Sequence, residues 1–393
     1  MIEKVTKTVE LHLLKLSNTK AEALSELYES YLVGANIILD ELKVREYTSK
    51  YQLQTATYNQ VRALGLHSQQ AIDVLKDVWI QRKKVERIEV FNKLAIRYNV
   101  PRSASLNVTK RGNPILSLAT LKGRIHAPVY QDKGYERFQS LTDDGYSFTE
   151  LQLLKKDGDW VIHVALKKVF EVDNGANVLG IDIGTNTLAA ITVYDPLHRK
   201  VLKQLYLGRD IYQVKRDIGV RRSKLQSRGS EKAAVALRKL RGYEHNFTKT
   251  RCFEIAHQIV ALAKEYNCTI AIENLKHLNK SKLSRKSDRK VKRMPYAMFV
   301  AALQAVAFQN GIAVVKVNPR YTSKTCSKCG ERGKRTGAAF KCACGFISNS
   351  DRNASCNIAL RAVKADTPKM LDQNPQGRMS VSTSLRVDEN ERL

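Results

Sequence analysis

The sequence has 393 residues, enough for two or three packed units, and its 43% of hydrophobic residues excludes a largely disordered chain. Lysine and arginine outnumber aspartate and glutamate by 67 to 38, a net charge of +29 that predicts a polyanionic partner, with nucleic acid the first candidate. No stretch reaches the ~20 apolar residues of a membrane-spanning helix, and we expect no membrane partner.

The N-terminal half combines two kinds of periodicity. Residues 2–15 alternate polar and apolar side chains as a strand does, and helical periodicity follows from Ser17 and again from Ser68 up to residue 100. From 104 to 172 the period is two, with a hairpin about Asp157-Gly158. These patterns predict a β-domain of residues 1–16 and 104–176, with a helical domain of residues 17–103 inserted in its first connection.

The C-terminal half alternates strands and helices. NVLGIDIGTNTLAAITVYD, from residue 177, predicts a strand, a glycine turn and a second strand, and a basic helical stretch covers 203–265. A strand begins at Cys268, and residues 299–317 predict a helix followed by a buried strand. The alternation predicts an α/β core over 177–318. The polar residues 367–393 lack periodicity and predict a disordered tail.

Three acidic residues are candidates for one site. Asp182 lies inside the apolar strand VLGIDIG and Glu273 ends the apolar strand TIAIE, where a charge is costly unless it is paired or binds a metal. Asp351 opens the predicted helix DRNASCNIALRAV. Taken singly, they could be a salt-bridged core aspartate, a solvent-facing glutamate and a helix cap. Their joint occurrence in one α/β domain favours a shared role.

Phosphodiester hydrolysis needs such a set, because two Mg²⁺ ions about 3.5–4 Å apart can activate water and stabilise the leaving oxygen. Carboxylates are ligands that Mg²⁺ prefers, and Mn²⁺ suits the same oxygen site. The motif GIDIGTN also resembles the first phosphate loop of actin-like ATPases. No second phosphate loop or adenosine site follows it, and the basic charge and cysteines have no place in that family. The residues therefore favour a metal-dependent nuclease.

Five of the seven cysteines lie within 326–356, which indicates a metal site in a reducing compartment rather than a disulfide framework. Cys326-x₂-Cys329 and Cys342-x-Cys344, twelve residues apart, predict a ribbon that binds one structural Zn²⁺ ion. Cys356 could replace one ligand, although it falls within the predicted helix. Because the ribbon directly precedes Asp351, its folding should position that carboxylate, and zinc loss should reduce catalysis indirectly.

The segments GIDIGTN, AIENLK, YTSKTCSKCG, FKCACGF and DRNASCNI, in this order, resemble the TnpB (OrfB) proteins of insertion sequences, which are related to type V CRISPR effector nucleases. The resemblance is specific from 177 to about 365 and architectural before that. It implies an RNase H-like (RuvC) core with an inserted zinc ribbon (319–350) and a final helix (351–366). It also implies a β-barrel-like wedge domain (1–16 and 104–176) with an inserted helical recognition domain.

The resemblance implies an RNA-guided DNA endonuclease that binds a guide RNA and target double-stranded DNA with a short flanking motif, and no small-molecule substrate. Asp182, Glu273 and Asp351 match its catalytic positions, and Cys326, Cys329, Cys342 and Cys344 match its zinc ligands, with the short C-x-C as the main departure. Candidate nucleic-acid contacts, each of which could also be a solvated helix face, are Arg82, Lys83, Lys84, Arg87, Arg216, Arg221, Arg222, Lys224, Arg228, Arg285, Lys286, Arg289, Lys290, Lys292 and Arg293.

Three alternatives share parts of this pattern. A miniature type V CRISPR effector would differ in genetic neighbourhood more than in residues. A nucleic-acid-binding regulator with little catalysis is disfavoured by the three intact carboxylates. An unguided junction-resolving nuclease would not need a helical insertion and a ribbon of this size. The N-terminus lacks the apolar block of a signal peptide, and we expect a cytoplasmic prokaryotic protein, associated with the nucleoid when bound to DNA.

Overall fold

The computed structural model describes residues 1–156, 159–275 and 294–370. The chain folds into two compact units. One consists of Lys4–Val169, and the other consists of Met1–Glu3 together with the residues from Phe170 onward. In the described ranges, no helix combines the length and the apolar character needed to cross a membrane. The predicted turn at Asp157-Gly158 and most of the predicted tail lie outside the described residues.

The first unit contains three long helices that follow each other in the sequence. They are α1 (Asn18–Val44), α2 (Lys50–Arg62) and α3 (Ser68–Gln81), and a 3₁₀ turn, Arg82–Arg87, follows α3. Leu24, Leu27, Tyr31 and Ile38 follow the helical period along α1 and are fully buried, as the sequence pattern predicts. Ser49 begins α2 with a reciprocal capping box to Gln52.

The helix predicted from Ser68 to residue 100 is wrong beyond Gln81. Residues Ile96–Asn99 instead form strand β2, in which Ile96 and Tyr98 are fully buried and alternate with partly exposed neighbours. A run this short fits both the helical and the strand period. Here the segment pairs antiparallel with the strand Ser147–Lys156. The guanidinium of Arg97 lies 2.6 Å from Asp77 of α3 and also pairs with Glu150.

Two sheets and one further helix complete this unit. A four-stranded sheet has the order β1-β7-β6-β2, with β1 (Ile2–His12), β6 (Ser147–Lys156) and β7 (Asp159–Glu171). A three-stranded antiparallel sheet contains β3 (Ala104–Val108), β4 (Pro114–Thr120) and β5 (Gly123–Pro128). Helix α4 (Lys133–Asp143) was not expected among strands, although Asp132 is a recognisable N-cap that accepts from the backbone N–H of Gly134 at 2.8 Å.

The second unit is built on a five-stranded sheet of order β10-β9-β8-β11-β12. Strands β8, β9 and β10 are antiparallel, whereas β11 runs parallel to β8 and to β12. The strands are β8 (Asn177–Asp182), β9 (Ala189–Asp195), β10 (Lys200–Leu207), β11 (Cys268–Glu273) and β12 (Val314–Val317). The helices are α5 (Arg209–Arg228), α6 (Glu231–Glu265), α7 (Tyr296–Gln309) and α8 (Ser350–Met370).

Three features of this unit differ from the predicted ones. Residues 203–207 belong to β10 rather than to a helix, and the glycines at 208 and 229, both with positive φ, separate β10, α5 and α6. Strand β12 lies at the sheet edge and is only partly buried. Helix α8 continues through Met370, four residues into the segment predicted as tail.

The two faces of the sheet bury different helices, and this decides where the acidic side chains point. Leu179 and Ile181 pack with residues of α6 and α7 on one face, and Val178 packs with Ile358 of α8 on the other. Side chains alternate along a strand, so Asp182 lies on the α8 face with Val178. By the same alternation, Glu273 lies on that face with Ala271 of β11.

Candidate functional site

Asp182 and Glu273 end two neighbouring parallel strands on the face that α8 crosses. The register pairs Ile181 with Ile272, so the two acidic residues follow at the same level of the sheet. Asp351 is the second residue of α8. Its backbone N–H donates to the side-chain oxygen of Asn349 at 2.9 Å, so Asn349 rather than Asp351 caps the start of the helix. The structure thus brings together three acidic residues that are far apart in sequence.

The charges of these carboxylates interact. Burial, followed by the negative charges of Glu273 and Asp351, raises the pKa of Asp182 to about 8, against an opposing effect of Arg335. Burial also raises the pKa of Glu273, while a hydrogen bond from Thr322 and the charge of Arg361 act in the opposite direction. Such a group of acids is costly in its ionised form unless a cation is bound.

Gly180 allows α8 to lie directly against β8. A Cβ atom at this position would stand 2.2 Å from the carbonyl oxygen of Ser355 and 2.7 Å from the backbone nitrogen of Ala359. Both are backbone atoms of α8 and cannot move aside as a flexible side chain does. One turn from Asp351, the hydroxyls of Ser355 and Thr192 of β9 are 2.6 Å apart in the buried interface.

We expect Gly180→Ala to displace α8 and lower any activity that depends on Asp351. Overpacking of this kind costs about 1–3 kcal/mol of stability, so the protein should still fold. The measurement is catalytic rate together with thermal unfolding. Gly219→Ala on α5, where an added Cβ meets nothing within 4 Å, is the matched control. Equal rates in the two variants would contradict the role of close packing.

Side chains that sequence reasoning missed hold Glu273 in place. The buried Thr322 hydroxyl hydrogen-bonds Oε1 of Glu273, and the Tyr296 hydroxyl donates to the Glu273 carbonyl oxygen at 2.8 Å. Thr322 is four residues before the first ribbon cysteine, and Tyr296 begins α7. Neither position has a periodic or compositional signal that distinguishes it from its neighbours in the sequence.

Arg335 of the ribbon is a second residue that the sequence did not single out. It lies on β13 (Lys334–Thr336), and its guanidinium is 3.5 Å from Oδ1 of Asp351. Both side chains are partly exposed, so this contact is open to solvent and to a ligand. The ribbon therefore contributes a positive charge at the edge of the cluster of three carboxylates.

The raised pKa of Asp182 predicts a pH-dependent stability in the metal-free protein. Because the folded protein retains a proton that the unfolded chain loses above 3.8, this stabilising contribution decreases as the pH rises from about 4 through about 8. A divalent cation favours the ionised carboxylates, so its stabilising effect should be larger at pH 8.5 than at pH 6. Thermal unfolding of wild type and Asp182→Asn with and without Mg²⁺ tests this, and equal pH dependence in both proteins would contradict it.

The four ribbon cysteines form a compact group. Their sulfur atoms all lie within 4.8 Å of one another, with Cys326–Cys344 at 3.8 Å and Cys329–Cys342 at 3.6 Å. A tetrahedral zinc with Zn–S bonds of about 2.3 Å separates its sulfurs by about 3.8 Å, so the spacing fits. Among residues 1–156, 159–275 and 294–370, no other set of three or more His, Cys, Asp or Glu side chains is grouped this closely. The three carboxylates do not form such a group either.

The short second knuckle folds much like the first. Gly330 follows Cys329 and Gly345 follows Cys344, and both glycines adopt positive φ. The two turns meet beside a three-stranded sheet of β13, β14 (Ala339–Lys341) and β15 (Ile347–Asn349). The absence of one residue from C-x-C therefore does not prevent the four sulfurs from converging. Cys356 is buried in α8 and lies outside the group.

Two asparagines of α8 connect the ribbon to the helix that carries Asp351. Asn353 accepts from the backbone N–H of Ser327 at 2.9 Å and donates to the carbonyl of Thr325 at 2.7 Å. Asn357, one turn further, donates to the carbonyls of Thr325 and Thr322 at 2.6 and 2.9 Å. The first knuckle, Glu273 and Asp351 are consequently linked through the short segment 322–327.

The candidate nucleic-acid residues fall into three groups. Arg82, Lys83 and Arg87 are exposed on the 3₁₀ turn, where Arg82 stacks on Trp79 at 4.3 Å, and the side chain of Lys84 lies outside the described residues. On α5, Arg216, Arg221, Lys224 and Arg228 are exposed, whereas Arg222 pairs with Glu244 of α6. Arg285, Lys286, Arg289, Lys290, Lys292 and Arg293 lie outside the described residues.

Parts of the chain are similar to known proteins. A family model for the Cas12f1-like TNB domain matches residues 296–358, from α7 through the ribbon into α8. The CRISPR-associated endodeoxyribonuclease Cas12f1 of Sulfoacidibacillus thermotolerans is 30% identical over 199 residues, which are 47% of this chain and 45% of that protein. A TnpB-like protein of Aquifex aeolicus is 27% identical over 252 residues, 57% of this chain and 81% of that protein.

A solved Cas12f1–sgRNA–target DNA complex contains a chain of the same fold. It aligns with a TM-score of 0.64 and 14% identity over 91% of this chain and 99% of that chain. The similarities relate the chain to TnpB-like proteins and to type V effectors, and the solved complex shows that it shares the fold of a Cas12f1 chain. The matches cover 45%, 37% and 44% of three Cas12f relatives, so the chain spans less than half the length of each.

Proposed function

We propose that this protein is an RNA-guided DNA endonuclease encoded by a transposable element, which cuts target DNA at Asp182, Glu273 and Asp351. One observation carries the proposal: the half-buried Asp182 and the buried Glu273 end adjacent parallel strands on the face crossed by the helix that carries Asp351. Relatives named as endodeoxyribonucleases and as TnpB-like proteins support it.

Divalent cations fit this group of residues. Asp182, Glu273 and Asp351 supply oxygen ligands. The pKa of Asp182 is raised by burial and then by the charges of Glu273 and Asp351, and a bound cation would compensate that negative charge. These residues would hold two Mg²⁺ or Mn²⁺ ions, which supply polarisation of the scissile phosphate and stabilise the leaving oxygen when bound. Thr322 orients Glu273, and Gly180 lets α8 bring Asp351 to the same edge of the sheet.

The same proposal assigns one structural Zn²⁺ to Cys326, Cys329, Cys342 and Cys344, on the support of the sulfur spacing. The zinc would have a structural role, because Asn353 and Asn357 hydrogen-bond the first knuckle segment to the helix that carries Asp351. Arg335 is placed by the ribbon beside Asp351, where its charge is available to an anionic substrate. The zinc ribbon therefore positions catalytic groups without reacting itself.

Guide RNA and target DNA account for the net charge of +29. An RNA–DNA heteroduplex is recognised by its shape and backbone, while base pairing supplies the sequence specificity. The exposed cations of α5 and of the 3₁₀ turn are proposed phosphate contacts, and Arg222 is better explained by its ion pair with Glu244. We further propose that the unit Lys4–Val169 supplies the wedge-like and recognition domains that read the flanking motif of the target.

The test starts with the RNA that accompanies the protein. The full chain is purified from its native locus context, bound RNA is sequenced, and DNA matching the RNA end is incubated with the complex and Mg²⁺. We expect one defined RNA that ends in sequence from outside the element, and cleavage of the matched DNA that chelation by EDTA prevents. Heterogeneous cellular RNA with no matched cleavage would contradict the proposal and favour an unguided nuclease or a regulator.

A further inference from the structure

Two histidines and a glutamate face each other on the first unit, where β1 ends. Glu10 and His12 are two positions apart on β1, so their side chains lie on the same face of the strand, which is the exposed one. His163 lies on β7, the neighbour of β1 in the sheet, 153 positions from Glu10 in the sequence. The fold thus brings two imidazoles and a carboxylate together on the solvent-facing side of one sheet.

Both imidazoles face the same carboxylate. Nε2 of His12 is 3.3 Å from Oε1 of Glu10, and Nε2 of His163 is 3.1 Å from Oε2 of Glu10. Zinc bonds to imidazole nitrogen and to carboxylate oxygen are about 2.0–2.2 Å long, so adjacent ligand atoms of a tetrahedral ion are separated by about 3.3–3.5 Å. The two nitrogen–oxygen distances are therefore on the scale of ligands that share one ion.

The other ring nitrogen of His12 is fixed by Asp132. Nδ1 of His12 lies 2.7 Å from Oδ2 of Asp132, the N-cap of α4. Oδ1 of Asp132 accepts the backbone N–H groups of Gly134 and Tyr135 at 2.8 and 3.1 Å, so the start of the helix holds this carboxylate in place. A carboxylate on one ring nitrogen is the common partner of a histidine whose second nitrogen binds a metal, because it sets the tautomer and increases the basicity of the ligand.

This arrangement requires a cation between His12 and Glu10. A neutral imidazole has one N–H, and when Nδ1 donates it to Asp132, Nε2 presents a lone pair to the carboxylate of Glu10. Two acceptors 3.3 Å apart repel each other unless a proton on Nε2 or a metal ion lies between them. A metal ion competes with that proton, and it competes better as the pH rises.

We propose that Glu10, His12 and His163 bind one transition-metal ion, with Zn²⁺ the expected ion, and that Asp132 orients His12. Two imidazoles and one carboxylate are a ligand set that zinc accepts, with water in the fourth position. The ligand atoms of this set do not all lie within 4.8 Å of one another, as the ribbon sulfurs do. The side chains of His163, Glu10 and His12 are 36%, 43% and 47% exposed, so rotation about their torsions can bring them onto an ion.

The ion would be a structural one. It would join β1 to β7 and, through Asp132, to the first turn of α4, which already lies directly against β1. A Cβ atom at Gly134 would stand 2.3 Å from the carbonyl oxygen of Glu10. These residues all belong to the unit Lys4–Val169, whereas the proposed nuclease site belongs to the other unit, so the proposal holds whether or not the chain cuts DNA.

The test measures the zinc stoichiometry of untagged full chain. Zn²⁺ is titrated calorimetrically in the presence of Mg²⁺, which competes at the three acidic residues of the proposed nuclease site. We expect wild type to bind one Zn²⁺ per chain more than His12→Gln/His163→Gln does. His198→Gln is the control, because it removes an imidazole that pairs with Asp195 in the other unit, and it should bind as much Zn²⁺ as wild type. Equal uptake by wild type and the double variant would overturn the proposal.

Copper identifies the ligands. Cu²⁺ binds such sites more tightly than Zn²⁺, and neither the cysteines nor the carboxylates of this chain have a side-chain nitrogen. The electron paramagnetic resonance spectrum of the Cu²⁺-loaded protein should show coupling to two nitrogens in wild type and in His198→Gln. The double variant should lose this coupling, and the same spectrum in the double variant would contradict the assignment.

Asp132→Asn tests the orienting role. Asparagine is as good an N-cap as aspartate, so α4 should be retained, while the carboxylate beside His12 is removed. We expect the affinity of the additional Zn²⁺ ion to fall by about 10–100-fold, as when a partner of a metal-binding histidine is lost. Thermal unfolding without added metal checks that α4 is intact, and unchanged zinc affinity in a folded Asp132→Asn variant would exclude Asp132 from the site.

Discussion

Asp182→Asn is expected to lower guided DNA cleavage by about 10³-fold or more, because metal assistance contributes several kcal/mol to the transition state and each 1.36 kcal/mol is about tenfold in rate. Asparagine keeps the size and the burial of the side chain and removes its charge. Burial and the charges of Glu273 and Asp351 destabilise the ionised aspartate, so the same change should stabilise the metal-free protein at pH 8. Activity and stability therefore move in opposite directions.

The combination of lower activity and higher stability makes the prediction specific. A merely structural aspartate would lose stability on substitution, and activity would fall with it. The measurement is the single-turnover cleavage rate of matched DNA, together with thermal unfolding in EDTA at pH 8. Asp143→Asn, an exposed position at the end of α4 in the other unit, is the control. Cleavage by Asp182→Asn at the wild-type rate would remove Asp182 from the site.

Loss of the ribbon metal is expected to be the second largest effect. If the ribbon holds the proposed Zn²⁺, Cys329→Ser should release it and reduce cleavage by about 10²-fold, on the scale observed when groups that orient a metal site are removed. A structural zinc contributes directly to the folding of its ribbon. Without it, the backbone groups of 322–327 no longer hold Asn353 and Asn357, and both Asp351 and Glu273 lose their alignment.

Metal content and guide binding separate this effect from general unfolding. Zinc is measured by mass spectrometry of the purified protein, with Cys356→Ala as the control, because Cys356 lies outside the sulfur group and should leave the zinc content unchanged. RNA binding should persist in Cys329→Ser, since its proposed contacts are on α5 and in the other unit. A zinc-free variant that cut DNA normally would show that the ribbon does not position Asp351.

The site residues that could be predicted are those whose side-chain chemistry does not suit the surrounding sequence pattern. Asp182 and Glu273 are acids within apolar strands, and four cysteines at such short intervals are typical of a metal site. The partners of these residues could not be found in the same way. Thr322 and Arg335 are ordinary polar residues in a polar segment, and only the folded chain shows that they contact Glu273 and Asp351.

The same limit explains the errors in the fold. Ile96–Asn99 forms a strand by pairing with β6, more than 50 positions later, and Arg97 adds ion pairs with Asp77 and Glu150. Gly180 could be recognised as a glycine beside Asp182, but its reason, the backbone of Ser355 against β8, belongs to a helix more than 170 positions later. Sequence periodicity describes the faces of single elements, and contacts between distant elements decide the rest.

Thr322 has a single hydroxyl hydrogen and two acceptors in reach, Oε1 of Glu273 and the carbonyl of Pro319. When Glu273 is ionised, the hydroxyl donates to it. When Glu273 carries a proton, the carboxylic acid can donate to the hydroxyl, which then turns its own hydrogen to Pro319. A rotation of one O–H bond thus keeps every group satisfied in both protonation states, and the carboxylate can exchange a proton for a cation without rearranging the backbone around it.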